Sequence, residues 1–490
     1  VPQRARNWLI PLVWVAGVSA VLLLLFPLGF PNYDTIYGLV WGREIADGLS
    51  PDRGAPLAPT PHPLAELFGI VTTPLGEGAI EATMVVAYLS LGLVGYLVYR
   101  LGALWFDRPV GAVAALIVLT RAPYLSNGLR AYVDLPYIAL CLGALLVETR
   151  RPRAGWPVLA LLALAGLLRP EAWLFAGAYW LYLALDLRPT GLKRPLFGRF
   201  RPVDRRLWWL AALALAGPIL WAAFDWVTAG SPTYSFTGTR ETVDELARQT
   251  GPVDLVLYGP RRLGEVLQWP GMVGALGGVA LGLAFLRRRS TIGAAAAALA
   301  LAAFAVLACA GLAILPRYTM LAAAVLAIFA ALGLLGWRLL EPGHRWRRAW
   351  QAFAAVVALM FVIWLPNQWD LDSRVDTDLT NQSRIEGDLT DLADSGAFAE
   401  PLCGPIAVPN HRAVPRLAFN LDIRPTQMVS AGEGHAPTRG YYLEPASPFV
   451  IHNFILDPGD PTRLDLAVPP GFREVARNES WILYKRCVTA

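Results

Sequence analysis

Charge is scarce in this sequence. Asp, Glu, Lys and Arg make up only 16% of the 490 residues, against about a quarter in a water-soluble globular chain. Lysine is almost missing and occurs only as Lys193 and Lys485, so the positive charge is carried by arginine. That bias fits a GC-rich bacterial genome. It does not make a nucleic-acid surface, because basic and aromatic residues nowhere interleave along one face as a single-strand binder requires. The four cysteines and five histidines show no C-x-x-C or H-x-x-x-H spacing, which argues against a zinc site. No internal repeat is visible. An ordinary soluble enzyme, a nucleic-acid binder and a zinc protein are therefore all disfavoured before any motif is considered.

What the chain has in abundance is apolar sequence. It is 55% hydrophobic and holds 18 tryptophans, the ring that prefers the two faces of a bilayer. A helix needs ~20 apolar residues to cross the hydrocarbon core. On that criterion spans are expected at 8–30, 80–104, 109–126, 132–149, 156–169, 171–187, 207–228, 268–286, 291–314, 316–338 and 349–366. This is a polytopic α-helical membrane protein of about eleven helices. The first segment is too long for a signal-peptide core and lacks a small-residue cleavage site, so it counts as a helix. Arginines then orient the molecule. Arg4 and Arg6, Arg150 to Arg153, the run from Arg188 to Arg206, Arg287 to Arg289, and Arg345 to Arg348 all fall on one side. By the positive-inside rule that side is cytoplasmic, with the N-terminus, in a bacterial plasma membrane.

Two outside segments are too long to be connectors, 31–80 and 230–268, and such loops usually carry short helices or function. In the first, Tyr33, Ile36, Tyr37, Val40 and Trp41 recur at helical spacing, which predicts an amphipathic helix on the membrane surface. Leu64, Leu67 and Phe68 predict a second helical turn. Beyond Pro366 the sequence becomes polar and rich in Pro, Asp and Gly. The expected division is therefore a helical unit, 1–368, and a small extracytoplasmic α/β domain, 369–490, with a core of its own. Its runs "PIAVPN", "PFVIHNFIL" and "SWILYKRC" read as strands. Cys141 and Cys309 read as small hydrophobes, while Cys403 and Cys487, near the two ends of the tail, are suited to a disulfide if the tail lies outside the cytoplasm.

Ionisable residues near lipid are costly and mark function. On the outside face they form a set drawn from different helix ends: Asp34, His62, Arg130, Asp134, Arg169, Glu171, Arg317 and, beside the last, Tyr318. Plainer readings exist for each. Asp34 suits an N-cap, Asp134 a helix start, Arg317 with Tyr318 an interfacial anchor, Arg169-Pro170-Glu171 a tight turn with a local ion pair, and His62 an ordinary loop. Asp47, Asp52 and the tail histidines His411, His435 and His452 read as solvated or structural.

In order along the chain, "NYDTIYG" after the first helix, "TPHPL", "Asp134-Leu135-Pro136", "Leu168-Arg169-Pro170-Glu171" and "Pro316-Arg317-Tyr318" resemble the motifs of the GT-C superfamily of membrane glycosyltransferases. The protein O-mannosyltransferase and lipid A aminoarabinose transferase branches are the most similar. The resemblance covers the helical region and not the tail. It implies transfer, with inversion, of a sugar from a polyprenyl-phosphate donor to an extracytoplasmic glycan, lipid or protein acceptor. It also implies roles: Asp34 as general base; Arg317, Arg130 and Arg169 for the donor phosphate; and Tyr37, Trp41, His62, Asp134, Tyr318 and Glu171 for sugar or acceptor. Thr35 stands where many relatives carry a second acid, and a phosphate leaving group needs no further protonation, so the reading has no metal and no cofactor. The alternative is a transporter or flippase of lipid-linked saccharide. Transporters place their charges near the midplane and show inverted repeats, and neither feature is found here.

Overall fold

The computed structural model describes residues 3–55, 57–185, 205–398, 401–430, 437–455 and 468–487. The first half of the chain forms α1 (Gln3–Leu25), α2 (Tyr33–Ala46), α3 (Pro63–Thr72), α4 (Gly78–Trp105), α5 (Arg108–Leu119), α6 (Ala122–Leu129), α7 (Asp134–Arg150), α8 (Trp156–Gly166) and α9 (Glu171–Ala184). There follow α10 (Arg205–Ala214), α11 (Ala216–Ala229), α12 (Tyr234–Glu245), α13 (Gly251–Phe285), α14 (Arg287–Cys309), α15 (Met320–Leu335) and α16 (Arg347–Asp394). Most of the arginine run from Arg188 to Arg206, and His435, lie outside the described residues.

Each apolar segment expected from the sequence coincides with helix. Among the described residues, five helices are long and apolar enough to cross a membrane: α4, α13, α14, α15 with its flanking turns, and α16. Counting two bent pairs as single spans makes seven. The remaining segments fall on α1, α7, α8 and α9, which do not reach that length and hydropathy within the described residues. The breaks have a common cause. α5 and α6 meet at 62° and α10 and α11 at 47°, just before Pro123 and Pro218, whose rings clash with the carbonyl four residues back. α13 breaks at Gln268, φ +59°, two residues before Pro270. Its apolar half thus starts where the predicted span starts, and the half before the break, like α12, belongs to the second external segment.

α16 runs 48 residues without interruption. It passes through Pro366 and continues as an arm whose Val375, Leu379, Ile385, Leu389 and Leu392 are buried. The change of composition near 366 is therefore a boundary within one helix, not a break in the chain. On the arm sits a five-stranded sheet of β1 (Ile406–Val408), β2 (Met428–Ser430), β3 (Gly440–Pro445), β4 (Arg473–Arg477) and β5 (Trp481–Arg486), in the order β2-β1-β3-β5-β4. β1 runs parallel to β2 and β3, and β5 antiparallel to β3 and β4. A further helix, α17 (Val414–Asn420), follows β1. Cys403 and Cys487 form a disulfide with Cα atoms 5.7 Å apart. Of the three runs read as strands, "PIAVPN" and "SWILYKRC" supply β1 and β5. "PFVIHNFIL" instead forms helical turns over Pro448–Ile455, because Pro448 sits at the first helical position, where its fixed φ favours helix.

Two expectations need correction. α2 forms where predicted, but it does not lie on the membrane surface: Ile36, Tyr37, Val40 and Trp41 are at most 1% exposed. Nor is the larger part of the tail's core its own, although a small cluster of Ala407 and Tyr442 lies within the tail. Those four residues pack in one cluster with Ile385, Leu389, Leu417, Tyr441 and Trp481 of the arm and tail. The periodicity of α2 signalled an apolar face correctly; what covers that face is protein.

Candidate active site

The site is assembled from chain turns at the end of the helical bundle that meets the tail. Asn32 caps α2, its side-chain oxygen accepting from the Asp34 N–H at 2.8 Å and the Thr35 N–H at 3.3 Å. The Asn32 amide donates to the Arg130 carbonyl at 2.8 Å, and the Thr35 hydroxyl to the Ala131 carbonyl at 2.8 Å. The start of α2 is thereby pinned to the turn between α6 and α7. Asp34 is not the cap. Its carboxylate is left to point into a cavity of about 1160 Å³, where it meets Nη1 of Arg317 at 3.5 Å.

Arg317 lies on the 3-10 turn Pro316–Thr319 that starts α15. Its guanidinium packs over Tyr132 at 5.4 Å and over Tyr318 at 5.2 Å. The Tyr318 ring carries a second cation, Arg169, at 4.3 Å. Arg169 itself is enclosed by carboxylates: Nη1 meets Asp134 at 2.5 Å and Nη2 meets Glu171 at 2.8 Å, with all three side chains under 10% exposed. This cluster ties the start of α7 to the turn between α8 and α9. With two carboxylates around one guanidinium, the cluster as a whole carries no surplus positive charge. The ion pair with Glu171 lies within the turn, and the pair with Asp134 joins that turn to α7.

His62 precedes Pro63 at the start of α3 and lines the cavity with its ring edge-on to Trp221, 5.8 Å between centroids. Burial, with the charges of Arg169 and Arg317 close by, pushes its imidazole down to about 3. It is therefore neutral at physiological pH and acts only through hydrogen bonds. Arg130 donates from Nε to Gln382 of α16 at 3.1 Å and hydrogen-bonds Ser126 through Nη1.

The cavity therefore brings together Asp34, His62, Arg130, Arg169, Glu171, Arg317 and Tyr318. Asp134 lies directly behind Arg169. Tyr37 and Trp41 are not brought in: both are in the core shared with the tail. Trp41 donates to the Asp52 carbonyl at 2.8 Å, and the Arg53 guanidinium lies 5.3 Å over its ring. Arg53 in turn pairs with the fully buried Glu66 at 3.1 Å. Asp52, expected to be solvated, is buried; its carboxylate accepts from the Thr426 N–H at 2.9 Å and from the Thr426 hydroxyl. That partner is 374 residues away in sequence, which is why the loop alone does not reveal it.

Other groups at the site had weak signals or none. Tyr132 stands between two marked residues and forms the shelf for Arg317. Gln382 comes from the arm of α16, and His411 and Arg412 from a tail turn with no motif. Glu386 also lines the cavity, but its charge is taken by Arg416 at 2.6 Å. The apolar part of the lining includes Phe30, Trp173, Trp221, Phe236, Leu246 and Leu307. Among the described residues no three His, Cys, Asp or Glu side chains converge to hold a metal ion.

No protein-family model matches the sequence, and no curated protein matches it. Solved structures do match in three dimensions. ArnT from Cupriavidus metallidurans, in the crystal structure bound to undecaprenyl phosphate, superposes with a TM-score of 0.57 at 15% identity, covering 98% of this chain and 98% of that one. Its apo state gives 0.51 at the same identity and coverage. The likeness is one of fold. From end to end, tail included, the chain shares the architecture of that ArnT structure.

Proposed function

We propose, on the premise of that shared fold, that this protein is a membrane glycosyltransferase. It would move a sugar from a polyprenyl-phosphate carrier to a hydroxyl or amine of an extracytoplasmic glycan, lipid or protein. The observation that carries the reading is the Asp34 carboxylate beside Arg317, in a cavity lined by both charged and apolar side chains. A lipid-linked phosphate sugar has charged and apolar parts to match, and the ArnT structure was solved with undecaprenyl phosphate bound. In this reading the chain crosses a bacterial plasma membrane about eleven times. The N-terminus is cytoplasmic, and the tail and both long loops are outside.

The chemistry needs one base and one anion site. An acceptor hydroxyl or amine attacks the anomeric carbon from the face opposite the phosphate. Asp34 takes the acceptor proton as the new bond forms. The bond from the anomeric carbon to the phosphate oxygen breaks, and its electron pair leaves with the lipid phosphate. Arg317 and Arg130 stabilise the charge that develops there. Inversion follows from the single displacement. His62, Tyr318 and Glu171 would contact sugar or acceptor, while Asp134 and Arg169 hold the two turns in place.

The test is transfer by purified protein from a panel of labelled polyprenyl-phosphate sugars, with crude envelope glycan as acceptor and Asp34→Asn beside wild type. Loss of the base should cost ~10²–10⁴-fold in rate without loss of fold. Equal activity in the two proteins removes Asp34 from the mechanism. No turnover with any donor, together with passage of lipid-linked sugar across liposomes, replaces the enzyme with a transporter.

A further inference from the structure

An apolar face is exposed in a segment that lies outside the expected spans. The half of α13 before its break, 251–267, carries Asp254, Arg261, Arg262 and Glu265. Its exposed residues nevertheless fall on one side. Pro252, Val253, Val256, Leu257, Pro260 and Arg261 recur at helical spacing, and five of these six are apolar. Val256, at the middle of the stripe, is 74% exposed. Single exposed apolar residues are ordinary on any protein, whereas a continuous stripe along one helix face marks a contact surface.

Packing fixes how this half-helix lies. Its other side, through Leu255 and Tyr258, rests on Phe304, Ala308 and Ile314 at the end of α14. Just before its first turn, the Gln249 carbonyl accepts from the Ile314 N–H at 2.9 Å. The Thr250 hydroxyl meets the Ala308 and Leu312 carbonyls at 3.2 and 2.9 Å. Near its other end, Arg262 donates from Nε to the Ile314 carbonyl at 3.1 Å. Residues 250 and 262 stand about 18 Å apart along a helix, yet both are bonded to the one connection between α14 and α15. A helix standing upright on the span would carry its start that far from the connection. The half-helix therefore lies across the ends of α14 and α15, turned there by the break at Gln268.

We propose that 251–267 is an interfacial helix whose apolar face has the outer leaflet of the bilayer as its partner. Val253, Val256 and Leu257 sit at the boundary of the acyl chains, and Arg261 extends to the headgroups. Continuity selects lipid over a protein partner. Trp269 follows the break and is exposed, as is Leu276 farther along the span in the same helix, and Trp226 is exposed in the last turn of α11. Exposed indoles at the ends of spans belong to the bilayer interface. Through this helix the membrane surface sets the height of α12, which lines the cavity with Ser235, Phe236, Thr239 and Val243. The inference rests on the membrane reading alone and stands whether or not the protein transfers a sugar.

Spin labels read the depth directly. The full-length protein carries Cys309→Ala, which removes the exposed free thiol, and is labelled at one introduced cysteine at a time. It is placed in nanodiscs of phosphatidylcholine and phosphatidylglycerol. Collision with oxygen, which concentrates in lipid, is compared with collision with a water-soluble nickel chelate. Labels at Val253→Cys, Val256→Cys, Leu257→Cys and Pro260→Cys should favour oxygen, as should Val362→Cys on the exposed apolar face of α16. Asp244→Cys, exposed on α12, should favour nickel. Val253 and Pro260 should read the same depth, whereas an upright helix puts them about 10 Å apart. Separate sites on the stripe allow for a variant that fails to fold. The proposal is overturned by stripe labels that favour nickel, or by a depth gradient of about 10 Å along the stripe. It is equally overturned by labels that neither reagent reaches, since a protein partner or a second copy then covers the face. The failures are distinguishable. A nickel-favoured Val362 removes the membrane reading and the proposal with it; a lipid-facing Val362 beside a wet stripe removes the proposal alone.

Discussion

At the scale of single residues, burial decides which charged groups are free to act. Arg169 was expected to take a phosphate, yet Asp134 and Glu171 enclose it. Arg169→Ala should therefore act first on stability, because it leaves two buried carboxylates unpaired, a change that costs about 3–5 kcal/mol. The checks are the melting temperature and the donor KM. A normal melting temperature with a raised KM would return Arg169 to the phosphate. His62 makes a pH prediction. Its folded pKa of about 3 lies below its ordinary value, so below about pH 6.5 the unfolded chain binds a proton that the folded chain refuses. Stability should fall as the pH drops from there toward 3, with a slope approaching about 1.4 kcal/mol per pH unit for this one group. His62→Gln should flatten the part of the acid profile due to this residue. An unchanged profile would mean that the imidazole titrates in the folded protein.

At the scale of elements, α2 is the clearest case of a pattern whose meaning the rest of the fold supplies. Its apolar stripe reads equally well as lipid-facing or protein-facing, since spacing records only that one side avoids water. In the structure that side carries Tyr37 and Trp41 into the tail's core, while the capped N-terminus of the same helix presents Asp34 to the cavity. Trp41→Ala should consequently cost about 3–5 kcal/mol, read as a lower melting temperature and faster proteolysis of the tail. Weaker sugar binding with unchanged stability would restore the ligand role expected from the motif. The broken helices were legible in part. Pro123, Pro218 and Pro270 stand in plain view, and each stops a helix a few residues earlier, but Pro366 does not stop α16.

At the scale of the whole molecule, the arm of α16 couples membrane and tail. It carries Gln382 to Arg130 and Glu386 to Arg416, so one rigid element touches both the cavity and the turn that bears Arg412. The first external loop is fastened to the tail as well, through Arg43 with Asp422 at 3.0 Å and through Asp52 with Thr426. Loop, arm and tail form a single body around the site. The tail's larger core is shared in this way: seven of its 25 buried residues, from Ile36 to Ala79, come from the start of the chain.

The sequence by itself determined the polytopic helical class of the molecule, the places where helices fall, and the group of ionisable residues that meet at one end. These follow from composition, from the length of apolar runs and from the cost of charge near lipid, all of which are local or additive. Only the tertiary structure decided which of those charges are neutralised, what covers α2, and that Arg412 stands at the cavity. Each of these depends on contacts between residues tens to hundreds of positions apart, and a linear pattern carries no information about which distant side chain completes a buried pair.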